Sequence, residues 1–315
     1  MKKLYTVLLF CLTAVSFAQQ ALPFSDSFGY TAGNLHTTAP WNALGTPNAT
    51  DHILIDGTKA TFDGAGTDVQ LTVTAPATGT IFYKFNLRVN TMAGVTDVNG
   101  GYFAGFAQNT TTFGGTVWTK RIDDTSFNVG LETRTATGAS TTYTVTSYPT
   151  ATNITVVVAY TLNAAGTSDD TARLWINPAA NAEANPLLTD THVGADLTGI
   201  ASFFLRQDSV TETPAIEIDD LRISTTFADV LSSDKFTTIP GLSIYPNPAT
   251  KGQFFITSNS GLQKSVSVFD VLGKQVLKAN ITDAAINVAT LKSGVYFVKV
   301  TEDGKTATRK LVINN

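Results

Sequence analysis

Glu217-Ile218-Asp219 places two carboxylates two residues apart, on one face of a strand. Paired carboxylates are what a glycosidase uses as nucleophile and general acid. A glutamate three residues beyond Asp219 would complete a Glu-x-Asp-x-x-Glu strand, but Arg222 stands there. A guanidinium cannot protonate a leaving oxygen, so the spacing favours a structural role over catalysis and no catalytic residue is assigned. Nucleophilic chemistry has less support. No Gly-x-Ser-x-Gly elbow occurs, and His36, His52 and His192 lie scattered without ligand spacing. The only cysteine, Cys11, falls in an N-terminal apolar run. Thiol catalysis, disulfides and Cys-ligated zinc are therefore excluded from the mature chain. A sugar site needs an aromatic face with polar groups beside it. Trp175 alternates with Leu174 and Ile176, and Trp118 alternates with Val117 and Thr119. Both are candidate glycan platforms.

The elements that must hold these residues are strands. The chain has 315 residues, with 51 Thr and 24 Gly, a composition that favours sheets and turns. Strand signals recur every 8–12 residues between turn residues. The clearest is Thr80–Asn90, where Ile81, Tyr83, Phe85, Leu87 and Val89 share one face. Asp56-Gly57 marks a hairpin turn. In the segment holding the carboxylates, Ile216 and Ile218 have opposite parity to Leu221 and Ile223. All four can face a core only if a residue is inserted, which predicts a β-bulge at Asp219-Asp220.

Charge divides the chain. Residues 21–239 hold 10 Lys+Arg against 21 Asp+Glu, and residues 240–315 hold 9 against 4. An acidic body without a basic stripe excludes nucleic acid as a partner. Lys2-Lys3, an apolar run and Ser16-Phe17-Ala18 read as a secretory signal peptide over 1–18. No later stretch is long and apolar enough for a transmembrane segment. The body is 19–231, with a polar linker at 232–240 and a second unit at 241–315. The whole reads as all-β: an antiparallel jelly-roll sandwich followed by a small immunoglobulin-like sandwich.

Four ordered motifs carry a resemblance in the second unit: Tyr245-Pro246-Asn247-Pro248, Asp270-Val-Leu-Gly273-Lys274, Leu291-Lys-Ser-Gly294-Val-Tyr296, and Lys310-Leu-Val-Ile. Together they resemble the type A C-terminal sorting domain of the type IX secretion system of Bacteroidetes. The resemblance implies export through the periplasm, with the type IX secretion machinery as partner, to the outer cell surface or the medium. Gly273 falls where a hairpin needs positive φ.

Within the body, Phe24-Ser-Asp26-Ser-Phe28, Leu174-Trp-Ile-Asn-Pro178, Ile200–Gln207 and Ile216–Ser224 resemble a laminin-G-like, concanavalin-type jelly roll of secreted proteins. Better-known relatives bind glycans or proteins, or hydrolyse polysaccharides; the incomplete strand above is that of the family-16 glycoside hydrolases. In such jelly rolls the first and last strands are neighbours, which would bring Asp26 to the bulge. Asp26, Asp219 and Asp220 are then candidate ligands of one structural Ca²⁺; the alternative is that Asp219 or Asp220 pairs with Arg222. No other cofactor is implied. The leading expectation is a non-catalytic binding or adhesion protein at the surface, recognising a glycan or a surface protein. The alternatives are a polysaccharide hydrolase or lyase with an unrecognised site, and a purely structural surface or matrix component.

Overall fold

The computed structural model describes residues 19–48, 50–134, 141–164, 166–191, 195–232, 239, 241–282, 284–302 and 305–314. Residues 1–18, where a signal peptide is expected, His192 and most of the 232–240 linker lie outside these residues. The chain forms two compact units that meet in sequence at Leu231 and Ser232.

The first unit's strands begin with β1 (Phe24–Asp26), β2 (Gly33–Asn34), β3 (Trp41–Ala43), β4 (Leu54–Ile55), β5 (Ala60–Phe62) and β6 (Val69–Thr72). The long strands follow: β7 (Gly79–Thr91), β8 (Gly101–Asn109), β9 (Thr112–Asp123) and β10 (Ser126–Arg134). Next come β11 (Thr142–Tyr143), β12 (Tyr148–Pro149), β13 (Asn153–Leu162), β14 (Thr171–Ile176) and β15 (Leu188–Thr191). The unit closes with β16 (Ser202–Leu205), β17 (Ala215–Ser224) and a short helix, α1 (Phe227–Leu231). One sheet has the order β15-β14-β13-β7-β17-β5-β4-β2, with β1 also on β17. The other runs β11-β10-β9-β8-β16-β6-β3, with β12 on β10.

Alternation along β7 buries Ile81, Tyr83, Phe85, Leu87 and Val89 completely. Against them the second sheet sets Phe106 and Phe203, whose rings lie 5.0 and 5.1 Å from that of Tyr83. The unit is therefore an all-β, two-layer sandwich. Each such side chain taken out of water contributes about 1.5–3 kcal/mol.

The parity argument for β17 holds. Ile216, Ile218, Leu221 and Ile223 all join the core, and the ladder to β7 shifts register between Asp219 and Arg222. Asp220 takes the left-handed conformation at φ 48°, and its N–H donates to Asp219 Oδ1 at 2.6 Å. The first and last strands are indeed paired, with Asp26 opposite Leu221.

Ala151 also has a positive φ, 57°, and its N–H donates to the Val89 carbonyl at 2.7 Å. A Cβ is disfavoured there. Ala151→Gly is expected to raise stability by about 0.5–1 kcal/mol, measured by urea unfolding; a loss of stability would contradict the assigned conformation.

The described residues of the second unit form seven strands: β18 (Ser243–Tyr245), β19 (Gln253–Thr257), β20 (Lys264–Phe269), β21 (Gln275–Ile281), β22 (Ile286–Asn287), β23 (Gly294–Glu302) and β24 (Lys305–Ile313). They form the sheets β18-β19-β22 and β21-β20-β23-β24. Tyr296, Val298 and Val300 alternate into a core shared with Val266 and Val268. Beneath it Lys264 and Glu302 form a 2.9 Å ion pair with side chains 0% and 3% exposed.

Candidate functional site

The outer face of the second sheet carries a row of aromatic rings set by strand register. Tyr102 of β8 is opposite Trp118 of β9, Trp118 is opposite Gly130 of β10, and Gly130 is opposite Tyr143 of β11. Their chain neighbours Phe103, Val117, Val129 and Leu131 are buried in the sandwich core, so alternation turns this row outward. The rings of Tyr102 and Trp118 lie 5.1 Å apart, and Trp118 Nε1 donates to Thr116 Oγ1 at 3.0 Å. Gly130 is required in the row: a Cβ there would lie 2.5 Å from Cε1 of Tyr143. The Tyr143 ring therefore lies on bare backbone, and its hydroxyl donates to the Asn99 carbonyl. Tyr102, Trp118 and Tyr143 are all half-buried.

A cation sits at each end of the row. The Arg206 guanidinium is 4.4 Å from the Tyr102 ring centre, held by Asp208 at 2.6 Å and Asp68 at 3.5 Å. The Lys120 ammonium is 5.3 Å from the centre of the Tyr143 ring. Burial pushes the Asp68 carboxyl up to about 6, against the pull of the Gln207 amide and Arg206. Burial also raises the Tyr143 phenol well above its ordinary value, with a Thr141 hydrogen bond opposing and the Glu132 and Asp97 charges adding to the rise. Tyr143 is thus a neutral ring, not a base. Glu132, one row along and buried, accepts from Thr141 Oγ1 at 2.6 Å. Flat ring faces beside hydrogen-bonding side chains suit the C–H face and hydroxyls of a sugar.

Of the sequence-predicted residues, Trp118 lies in this row and Trp175 does not. Trp175 is 2% exposed, packed against Phe82 and Phe227, and its Nε1 donates to the Ala182 carbonyl at 2.9 Å. It points away from the main core as expected, but α1 covers that side with Phe227, and no face is left for a ligand. The expected Ca²⁺ set is likewise not assembled. Asp26 is inward and accepts from the Phe28 N–H, the Tyr30 hydroxyl and Trp41 Nε1, each at 2.7 Å. Asp220 faces the other way and pairs with Lys84 at 2.5 Å and Arg222 at 3.1 Å. The bulge separates the carboxylates because it turns Asp220 toward cations. Among the described residues, the carboxylates that do converge within 4.8 Å are Asp169, Asp170 and Asp196. There Asp170 already accepts from the Tyr160 hydroxyl and the Asn163 and Leu197 amides.

Glu217 is half-buried and accepts from Lys59 Nζ and Asn90 Nδ2, both at 2.9 Å. Burial opposes its ionisation, but these bonds and the charges of Lys59 and Arg88 outweigh it and hold its pKa below the ordinary glutamate value. A carboxylate kept ionised is the wrong partner for general-acid work. The histidines are less scattered than the sequence implied. The His36 and His52 rings lie 4.7 Å apart, and burial together with His52 lowers the His36 pKa. Spacing along the chain carried no signal for this pair, because the intervening residues form a loop and the short strand β3.

The sorting-type motifs hold the second unit together. Asn247 Nδ2 donates to the Lys310 carbonyl at 2.8 Å, and Asn247 Oδ1 accepts from the Val312 N–H at 2.9 Å. Pro246 and Pro248 flank it in a bend, each after a cis peptide bond. Asp270 Oδ1 accepts from the N–H groups of Leu272 and Lys274 at 2.9 and 3.0 Å, with Gly273 at φ 82° between. The Tyr296 hydroxyl donates to the Lys292 carbonyl at 2.8 Å. Leu291 packs at the core edge, and Gly294 opens β23. These motif residues form turns and clamps rather than a pocket.

A two-layer β body followed by a small all-β unit makes this a two-unit all-β protein. Residues 243–314 match the family described as Secretion system C-terminal sorting domain, and the chain is accordingly directed to the cell surface or secreted. No curated protein matches the chain. Among solved structures, a mutant of alginate lyase Aly36B in complex with alginate tetrasaccharide is 13% identical, over 64% of this chain and 97% of that one, with a TM-score of 0.41. The endo-β-1,4-glucuronan lyase of the fungus Trichoderma reesei is 11% identical over 66% and 97%, with a TM-score of 0.38. Trypanosoma rangeli sialidase with 2,3-difluorosialic acid is 11% identical over 59% and 27%, with a TM-score of 0.33. At these scores the likeness extends to neither site nor chemistry. Among the described residues no helix is long and apolar enough to cross a membrane.

Proposed function

We propose that the protein is an exported, non-catalytic glycan-binding protein, delivered by engagement of its C-terminal unit with the secretion machinery. The carrying observation is the cross-strand row Tyr102–Trp118–Tyr143 over Gly130. Four strands in register span three inter-strand spacings, about 14 Å, long enough for several consecutive sugar rings. The carboxylate that begins the hydrolase-like strand supports binding over turnover, because Glu217 is kept ionised by Lys59 and Asn90.

The test is a glycan array probed with the mature chain. One or more glycans are expected to bind without being cleaved, and Trp118→Ala is expected to weaken that binding about tenfold while the thermal transition persists. Release of shortened products would replace this reading with an enzymatic one. An array with no hits, or affinity indifferent to Trp118, would refute it.

A further inference from the structure

The outer face of the other sheet holds a polar groove of about 390 Å³. It is independent of the aromatic row and is built by Lys59, just before β5, and by β7, β13 and β17. Register sets its floor: Glu217 is opposite Arg88, and Arg88 is opposite Asn153. One row along, Asp219 is opposite Asn86. Part of this polar set is already matched internally. Lys59 Nζ and Asn90 Nδ2 take the two oxygens of Glu217, and Arg88 Nε donates to Asn90 Oδ1 at 2.9 Å.

What remains is directional. The two Nη groups of Arg88 make no hydrogen bond or ion pair among the described residues. The carboxylate beside them, Glu217, stands 3.9 Å from Arg88 Nε and is already engaged by Lys59. The Asn153 amide directly across the ladder makes no hydrogen bond among the described residues either. Asn86 accepts from Thr155 Oγ1 at 3.0 Å through its Oδ1, which leaves its Nδ2 hydrogens.

We propose that this groove binds a sugar acid. Its carboxylate would lie on the Arg88 Nη fork and the Asn153 amide, and its hydroxyls would reach Asn86 and Asp219. A planar guanidinium with both terminal nitrogens unused matches a carboxylate in bidentate fashion. Amides and a carboxylate in the next row pair with hydroxyls, which can donate and accept at once. Among the described residues lining the groove Ile218 alone is apolar, and its side chain is turned into the core, which disfavours a fatty or aromatic acid. The volume is in the range of small-ligand sites.

The test is calorimetric titration of the mature chain with a short glucuronic-acid oligosaccharide. Binding is expected, and Arg88→Gln should weaken it about tenfold or more. Arg88→Lys, which keeps the charge but removes the fork, should fall between Arg88→Gln and wild type. The same oligosaccharide with its carboxylates reduced to alcohols should bind about as weakly as the natural one binds Arg88→Gln. Unchanged melting curves establish that the variants are folded, and Arg121→Gln on the opposite sheet serves as control. Absence of uronate binding, equal binding of the reduced oligosaccharide, or wild-type affinity in Arg88→Gln each overturns the assignment. Neutral-glycan binding and its response to Trp118→Ala are scored separately, so failure at one face does not decide the other.

Discussion

Asp26→Ala is expected to destabilise the body by about 3–5 kcal/mol and to lower its melting temperature by on the order of 10 °C. The carboxylate gathers three donors from two segments: the Phe28 amide and Tyr30 hydroxyl just after β1, and the Trp41 indole of β3. Phe28 and Trp41 are fully buried, so alanine would leave two donors with no water to satisfy them. Each such orphan costs about 1–3 kcal/mol. The same contacts fix Trp41, which stacks on Phe28 and meets Phe203 of β16, two strands along in the same sheet. Burial, and then the Asp26 charge, pushes the Tyr30 phenol far above its ordinary value, so this proton stays in place across the working pH range. Thermal melting followed by circular dichroism checks the prediction. A loss smaller than about 1 kcal/mol would mean that the donors find other partners.

Lys264→Met should cost the second unit about 3–5 kcal/mol, because it strands Glu302 in a site closed to solvent. Glu302 accepts from Ser258 as well as Lys264, at 2.6 and 2.9 Å. Burial opposes ionisation, but these bonds prevail and hold its pKa below the usual glutamate value. A depressed folded pKa fixes the sign of the pH dependence. The contribution is complete above the unfolded value of about 4.3 and is lost as pH falls through the lowered folded value. Hydrogen exchange at β20 and β23 should therefore accelerate in acid, and the Lys264→Met variant should lose that acid dependence. The double replacement Lys264→Met, Glu302→Leu should recover most of the loss. A single variant as stable as wild type at neutral pH would refute the argument.

How much was legible in the sequence depended on the range of the interaction. The alternation of β7, the Asp56-Gly57 hairpin, the bulge at Asp219-Asp220 and the turn at Gly273 are local, and parity or turn chemistry exposes them. Trp175 shows the limit. Its outward parity was right, but parity cannot say that a five-residue helix fifty positions later will cover it. Asp26 reached β17 as anticipated, yet its oxygens are claimed by Trp41 from β3, a strand of three residues with no alternation to reveal it. The row at Tyr102, Trp118 and Tyr143 needs three registers at once, one of them shifted by bulges in β8–β9. The buried pair Lys264–Glu302 had no signal either, since a lysine opening one strand and a glutamate ending another read as ordinary solvent-facing termini.

The Asn247 side chain grips the backbone of the last strand at Lys310 and Val312, joining the beginning of the second unit to its end. The lead-in at Tyr245–Pro248 and β24 therefore behave as buckle and strap: loosening β24 strips the Asn247 amide of both its partners, and damage to Asn247 frees the edge of the sheet.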